Sequence, residues 1–337
     1  MLSGVFHAWE RRLASVSTDR TVRPFEWGLE WVDGAGGTSS PGAHLEQWAD
    51  QMVASSEQFF ALPPCSDFTL DGEWLTYPSA VETPHVENNL VRARYLPDSS
   101  PAGRTRAVIV LPQWNADSDG HVGLCRLLNR FGISALRLSL PYHDRRMPPG
   151  FERADFMVSA NVGRTLQANR QAVLDTRAAV HWLAEQGYER IGIVGTSLGS
   201  CIAFLTFVHE EKIRAAVYNH VSSYFGDVVW EGLTTAHVRR GLETVLTRDE
   251  VRRAWLAISP NSYVSKLVDD QRPRLMISAR YDLSFTPELS RLLFQECERK
   301  GVKLDRAILR CGHYTLGRAP YKYYAGYLLV SYFHKHL

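Results

Sequence analysis

Three polar residues in this chain have the types and the order that nucleophilic catalysis requires. Ser197 sits in the run Gly195-Thr196-Ser197-Leu198-Gly199, a G-x-S-x-G pattern. It lies between an apolar segment containing Ile191, Ile193 and Val194 and a second apolar segment over 198–204. The first reads as a buried strand and the second as the start of a buried helix. A turn at this seam raises the hydroxyl above the strand end, and flanking glycines remove the β-carbons that so tight a bend would drive into backbone. The helix N-terminus adds positive potential where an anion would develop. The bland alternative is a packing solution at a strand–helix seam.

A serine hydroxyl attacks poorly until a base removes its proton, and the base needs a third group to hold its tautomer and its charge. Two later loops supply those types. Asp282 stands in "ARYDLSFTPE", after the strand pattern "PRLMISA". His313 stands in "RCGHYTLG", after "KLDRAIL". Asp282 also has a reading as a helix cap, although Thr286 followed by Pro287 suits a helix start better. His313 is one of 12 histidines and has a reading as an ordinary loop residue. Asp227, soon after the strand ending near Val221, is the competing acid, while Asp175 lies inside a helix pattern. Attack on an acyl carbonyl also needs donors for the oxyanion. The backbone N–H of Leu198 is one; the second belongs in "VLPQWNADSDGH", with Trp114 the candidate and Gln113 the alternative.

The elements that must position these groups alternate from residue 106 onward. "RAVIVL", "ISALRLSL", "RIGIVG", "IRAAVYNHV", "PRLMISA" and "KLDRAIL" read as strands, with helical patterns between them. The longest of these, "TLQANRQAVLDTRAAVHWLAEQG", ends at Gly187 as a left-handed cap. This order predicts an α/β fold with a mostly parallel sheet covered on both faces, whose ligands bind beyond the carboxyl ends of the strands. Residues 222–265 break the rhythm and predict a helical cap, in which "TRDE" at 247–250 is a capping box. Earlier, "DGAGGTSSPGAH" at 33–44 reads as a loop, and "DFTLDGEWLTY" and "NNLVRARYL" as two antiparallel strands. The expected organisation is an N-terminal helical extension and first strand over 1–84, then the main domain over 85–337.

The chain of 337 residues is 45% hydrophobic and 22% charged, enough for a core without metal or disulfide staples. Its 38 basic and 36 acidic residues leave a net charge of +2, which argues against nucleic acid as a partner. The five cysteines form no CxxC pair, which favours a reducing compartment and a cytoplasmic location. No apolar run is long enough to span a bilayer, and the N-terminus lacks a signal-peptide pattern. There, Val5, Phe6, Trp9, Leu13 and Val16 share one helical face, expected to pack on its own domain or on a partner subunit. A membrane-surface anchor is the alternative. No metal motif such as HExxH occurs, and no cofactor is expected.

From about residue 85 the chain resembles the serine hydrolases of the α/β-hydrolase superfamily, through "GTSLG", "YDLSFTP" and "CGHYTLG". More narrowly, "LPYHDRR", "GTSLGS", "AWLAISP" and "CGHYTLG" resemble the abhydrolase-domain family eighteen. The resemblance implies a catalytic triad of Ser197, Asp282 and His313, and a small-molecule ester as substrate. It departs at Pro112-Gln113, where many esterases carry His-Gly. Candidate substrate contacts are Gln113, Tyr142, His143, Tyr224, Phe225 and Trp230. Arg145 and Arg146 read either as anion ligands or as structural partners of Asp144 or Glu152. The expected activity is hydrolysis of carboxylic esters through an acyl-serine. Lipid deacylation, thioester or peptide cleavage, or a non-catalytic binding role on the same fold are the alternatives.

Overall fold

The computed structural model describes residues 2–17, 19–32 and 40–337. Among these residues nine strands form one sheet: β1 (Thr69–Asp71), β2 (Trp74–Pro78), β3 (Leu90–Leu96), β4 (Arg106–Leu111), β5 (Ser134–Leu138), β6 (Arg190–Thr196), β7 (Ile213–Asn219), β8 (Arg274–Ala279) and β9 (Asp305–Leu309). Their spatial order is β1-β2-β3-β5-β4-β6-β7-β8-β9. The first three strands and the β3–β5 pair are antiparallel, and every pairing from β5 to β9 is parallel.

Among the described residues, eleven α-helices accompany the sheet: α1 (Leu2–Ala14), α2 (Pro41–Ala54), α3 (Ser56–Phe59), α4 (Val122–Asn129), α5 (Val162–Glu185), α6 (Leu198–His209), α7 (Phe225–Glu231), α8 (Ala236–Leu242), α9 (Arg248–Ala254), α10 (Pro287–Arg299) and α11 (Tyr321–His336). Side chains alternate across the pleat, so β4 sends Val108 and Val110 to one face and Ala107, Ile109 and Leu111 to the other. The first face is covered by α4 and α11, the second by α5, α6 and α10. Both faces are buried, which is why β4 to β8 read as continuous apolar runs rather than as alternating ones.

Helices α7 to α9 form the interruption above the sheet. The capping box at Thr247 and Glu250 starts α9. Asp227 of α7 is gripped by Arg248 and Arg252 of α9. Trp255, fully buried, anchors the cap by donating its indole N–H to the Val162 carbonyl at the start of α5.

Three local expectations are corrected. "DFTLDGEWLTY" is a hairpin of β1 and β2 rather than one strand, because Gly72 takes the left-handed turn (φ 57°) in an Asp-Gly corner. The stretch read as a loop over 33–44 lies outside the described residues as far as 39, and from Pro41 it is helical, with proline at the first helical position. The inward side of α1 also differs from the apolar stripe. Val5, Trp9 and Val16 are exposed, Phe6 and Leu13 half-buried, and the fully buried residues are Glu10 and Ala14. The helix turns this side inward because backbone donors await the Glu10 carboxylate there.

Candidate active site

Strand β6 delivers Ser197 to a sharp corner. Its φ of 54° and ψ of −120° lie outside the regions that side chains favour, a strain stored by the surrounding packing. A β-carbon at position 195 would stand 2.0 Å from the Gly199 carbonyl oxygen, and one at 199 would stand 2.4 Å from that of Pro112. Both glycines are therefore required by close backbone approach. Neighbouring β7 holds the corner: Ser197 donates its N–H to the Asn219 carbonyl at 2.8 Å, and Ser200 Oγ bonds the carbonyls of Ser197 and His220.

Asp282 follows β8 and His313 follows β9, and the structure brings both to this corner. His313 Nε2 lies 3.0 Å from Ser197 Oγ, and His313 Nδ1 lies 2.9 Å from Asp282 Oδ2. The other carboxylate oxygen, Oδ1, accepts the backbone N–H groups of Ser284 and Phe285 at 2.7 and 2.8 Å. Burial alone would raise the Asp282 pKa; the two neighbouring imidazoles and their hydrogen bonds outweigh it and hold the carboxyl well below its ordinary 3.8. For His313, burial opposes a charge on the ring. The Asp282 carboxylate, with Glu10 adding to it, raises the pKa above the ordinary 6.5 despite that. The Phe285 ring stacks on the imidazole, centroids 5.3 Å apart, and limits its rotation. Asp227, held by its two arginines, takes no part in this chain.

The backbone N–H groups of Leu198, Trp114 and Gln113 have no acceptor among the described residues, which leaves both candidates for the second oxyanion donor open. The loop that carries Trp114 is stitched down on both sides. Its indole N–H donates to the Ala154 carbonyl at 2.9 Å, and Asn115 Oδ1 accepts the Ala154 N–H at 2.8 Å. His143 Nε2 accepts the Asn115 N–H at 3.0 Å while Nδ1 donates to the Pro141 carbonyl. Burial pushes that imidazole down to about 4, which keeps the accepting tautomer neutral.

A cavity of about 560 Å³ opens at Ser197 and His313. Gln113 and Trp114 line it, as do Phe225, Val228 and Val229 from the cap and Leu124 and Leu329 from the α4 and α11 side. Four expected substrate contacts do not line it. Tyr142 is buried beside His85 and Phe156; His143 is consumed by the bonds just described. The Tyr224 hydroxyl accepts from Asn261 and its ring lies under Arg252. Trp230 is turned toward Arg239 instead. Arg146 is wholly buried against Asp175 and is structural.

Two residues escaped sequence reading. His220 follows β7, with its Nδ1 2.9 Å from Asp282 Oδ2 and its ring 4.6 Å from that of His313. Its place at a strand's carboxyl end was the available signal. Glu10, the second, carried none. His220, Asp282 and His313 bring three ligand-type atoms within 4.8 Å of one another. In this arrangement each ring nitrogen of His313 and each oxygen of Asp282 already has a protein partner, the pattern of a proton chain.

Comparison with solved structures matches this architecture. The acylaminoacyl peptidase of Pyrococcus horikoshii superposes with a TM-score of 0.61 at 14% identity, covering 84% of this chain and 43% of that one. An acetyl xylan esterase from Paenibacillus sp. R4 gives 0.60 at 12% identity, covering 94% and 100%. An esterase of Pyrococcus furiosus gives 0.55 at 13% identity, covering 82% and 99%. This is the α/β-hydrolase fold. The chain spans less than half the length of the peptidase it matches. No protein-family model and no curated protein matches the sequence. Within the α/β-hydrolase fold, Ser197, Asp282 and His313 stand beyond the carboxyl ends of β6, β8 and β9, where open α/β sheets bind their ligands. Among the described residues, no helix is long and apolar enough to cross a membrane.

Proposed function

We propose that the protein is a serine hydrolase that cleaves carboxylic esters through an acyl-serine intermediate. The observation that carries this reading is the continuous hydrogen-bonded chain from Ser197 Oγ through the His313 ring to Asp282 Oδ2, at 3.0 and 2.9 Å. Ser197 Oγ attacks the ester carbonyl carbon as its proton passes to His313 Nε2. Asp282 holds the imidazolium that forms. Negative charge on the carbonyl oxygen is met by the N–H groups of Leu198 and Trp114. Collapse of this adduct breaks the bond to the alcohol oxygen, which takes the proton from His313. Water then repeats the sequence on the acyl-serine, freeing the carboxylic acid and the hydroxyl of Ser197.

Esters are preferred over amides because the esterases among the structural neighbours are matched over nearly their whole length, the peptidase over less than half. The apolar cap side of the cavity, with Phe225, Val228 and Val229, suits the acyl group of a small-molecule substrate. The likeness to abhydrolase-domain family eighteen and the cytoplasmic location favoured by five free cysteines belong to the same reading.

A fluorophosphonate probe should label Ser197 stoichiometrically, and Ser197→Ala should lose labelling. Hydrolysis across a panel of aryl esters of increasing acyl length should fall by about 10⁴-fold or more in that variant. A Ser197→Ala protein that kept its rate would remove the mechanism.

A further inference from the structure

Helix α1 lies against both loops that carry the proton chain. Phe6 stacks on Tyr281, the residue before Asp282, with centroids 4.6 Å apart and planes within 13°. One turn further along, the buried Glu10 reaches the His313 loop. Its Oε2 accepts the Tyr314 N–H at 2.9 Å and its Oε1 accepts the Thr315 N–H at 2.8 Å. The carboxylate is so close to Gly312 that a β-carbon there would meet Glu10 Cδ at 2.4 Å. Thr315 Oγ1 in turn accepts the Gly312 N–H, closing the loop around His313. Both residues next to His313 in sequence thus touch a side chain some three hundred positions away.

We infer that Glu10 is a positioning residue for His313, and that α1 is part of the catalytic apparatus. This rests on the reading of Ser197, His313 and Asp282 as a triad. An ionised carboxylate is acceptor-only and can serve two convergent N–H donors, one on each oxygen, which an amide cannot do. It is buried at full cost unless those donors are present, so its placement ties α1 to this loop in one geometry. The carboxylate also adds negative charge near the ring. Among the described residues, Asp282, His220, Glu10 and Tyr314 face His313, and Arg20, His121, Arg153 and Lys322 line the cavity it opens on. Of the groups that face it, Asp282 and Glu10 favour the protonated ring. Glu10 therefore acts on His313 in two ways, through the loop and through the field.

The test is Glu10→Gln compared with Glu10→Asp in the full chain. Glu10→Gln leaves one acceptor oxygen and turns an amide N–H₂ toward a backbone donor. We expect kcat to fall by roughly tenfold, with KM within about twofold, as misplacement of a reacting group does. The acid limb of kcat/KM should move to lower pH, because a charge that favours the imidazolium is gone. Glu10→Asp keeps that charge at shorter reach, so the limb should stay in place while kcat falls. Fluorophosphonate labelling of Ser197 should slow in step with kcat in both. A Glu10→Gln protein with a lowered melting temperature but unchanged kcat and pH limb would make Glu10 merely structural and overturn the inference. If Glu10→Gln does not fold, Glu10→Asp decides: unchanged kcat and labelling rate overturn it, and a lower kcat on an unmoved limb supports it. Absence of labelling in the unmodified protein would instead count against the triad itself.

Discussion

Both oxygens of Asp282 are hydrogen-bonded, and a second imidazole lies beside them. Two backbone N–H groups reach Oδ1, and the imidazoles of His313 and His220 approach Oδ2. Such a carboxylate stays ionised, so its pull on His313 persists across the neutral range. The sign of the resulting pH dependence follows from the raised His313 pKa. The base must be neutral to accept the serine proton, so kcat/KM should rise with pH through an inflection above 6.5 and level off above it. Ester hydrolysis measured across that range checks the position of the limb. Asp282→Asn should lower kcat by about 10⁴-fold with the fold intact, since an amide both removes the charge and favours the wrong tautomer. At the same scale, Ser197, Asp282 and His313 were legible because each sits in a short local pattern at the end of a strand. Glu10 was illegible for the opposite reason. A hydrophobic-face reading places a glutamate outside, and its partners are backbone N–H groups that no side-chain pattern encodes.

The corner between β6 and α6 and the loop after β4 form one mechanical unit. Gly199 lies where its α-carbon faces the carbonyls of Leu111 and Pro112, which lead directly into the loop bearing Gln113 and Trp114. Gly199→Ala would place a methyl 2.5 Å from the Leu111 oxygen and 2.4 Å from the Pro112 oxygen, both backbone atoms unable to swing away as a flexible side chain would. The variant should lose about 1–3 kcal/mol of stability from overpacking. Its kcat should fall by about 10²–10³-fold, the scale of a lost oxyanion donor. Thermal melting and steady-state kinetics on one preparation separate the two effects. The G-x-S-x-G run announced this corner in the sequence, because its five residues carry the whole geometric requirement. The loop that answers it was only half legible: its location followed from strand order, but its support by His143 and Asn115 depends on residues brought together by tertiary folding. That is why His143 read as a substrate contact when its nitrogens are spent on the Pro141 carbonyl and the Asn115 N–H.

Across the whole molecule, the described residues before 85 add strands to the same sheet and a helix against the same site. They contribute β1 and β2, the helix α2 that pairs Glu46 with Arg253 of the cap, and the strap α1. The tightest knot in this integration is the ion pair of Arg146 and Asp175, both fully buried, at 2.8 Å. Arg146 also donates to the carbonyls of Asn88 and Ser139, while Asp175 Oδ1 accepts from Ser79 and its carbonyl accepts from Tyr77. The hairpin region, the loop after β5 and helix α5 meet at that point. Burial raises the Asp175 pKa, and Arg146 and Ser79 oppose the rise. Arg146→Met would remove the largest opposing charge and leave a carboxylate buried without a cation, a loss of about 3–5 kcal/mol at neutral pH. The pH dependence then has a definite sign. In the variant the folded state binds a proton at Asp175 more readily than the unfolded chain does, so the deficit should shrink as pH falls from 8 toward 5. Denaturant unfolding at several pH values measures it; a deficit that stayed constant or grew on acidification would show that Asp175 is not the group left stranded. Neither residue lines the cavity, so ester hydrolysis assayed well below the new melting transition should remain within about twofold of the parent. A selective rise in KM for anionic esters would instead favour the anion-ligand alternative that the sequence left open for Arg146 beside the structural one.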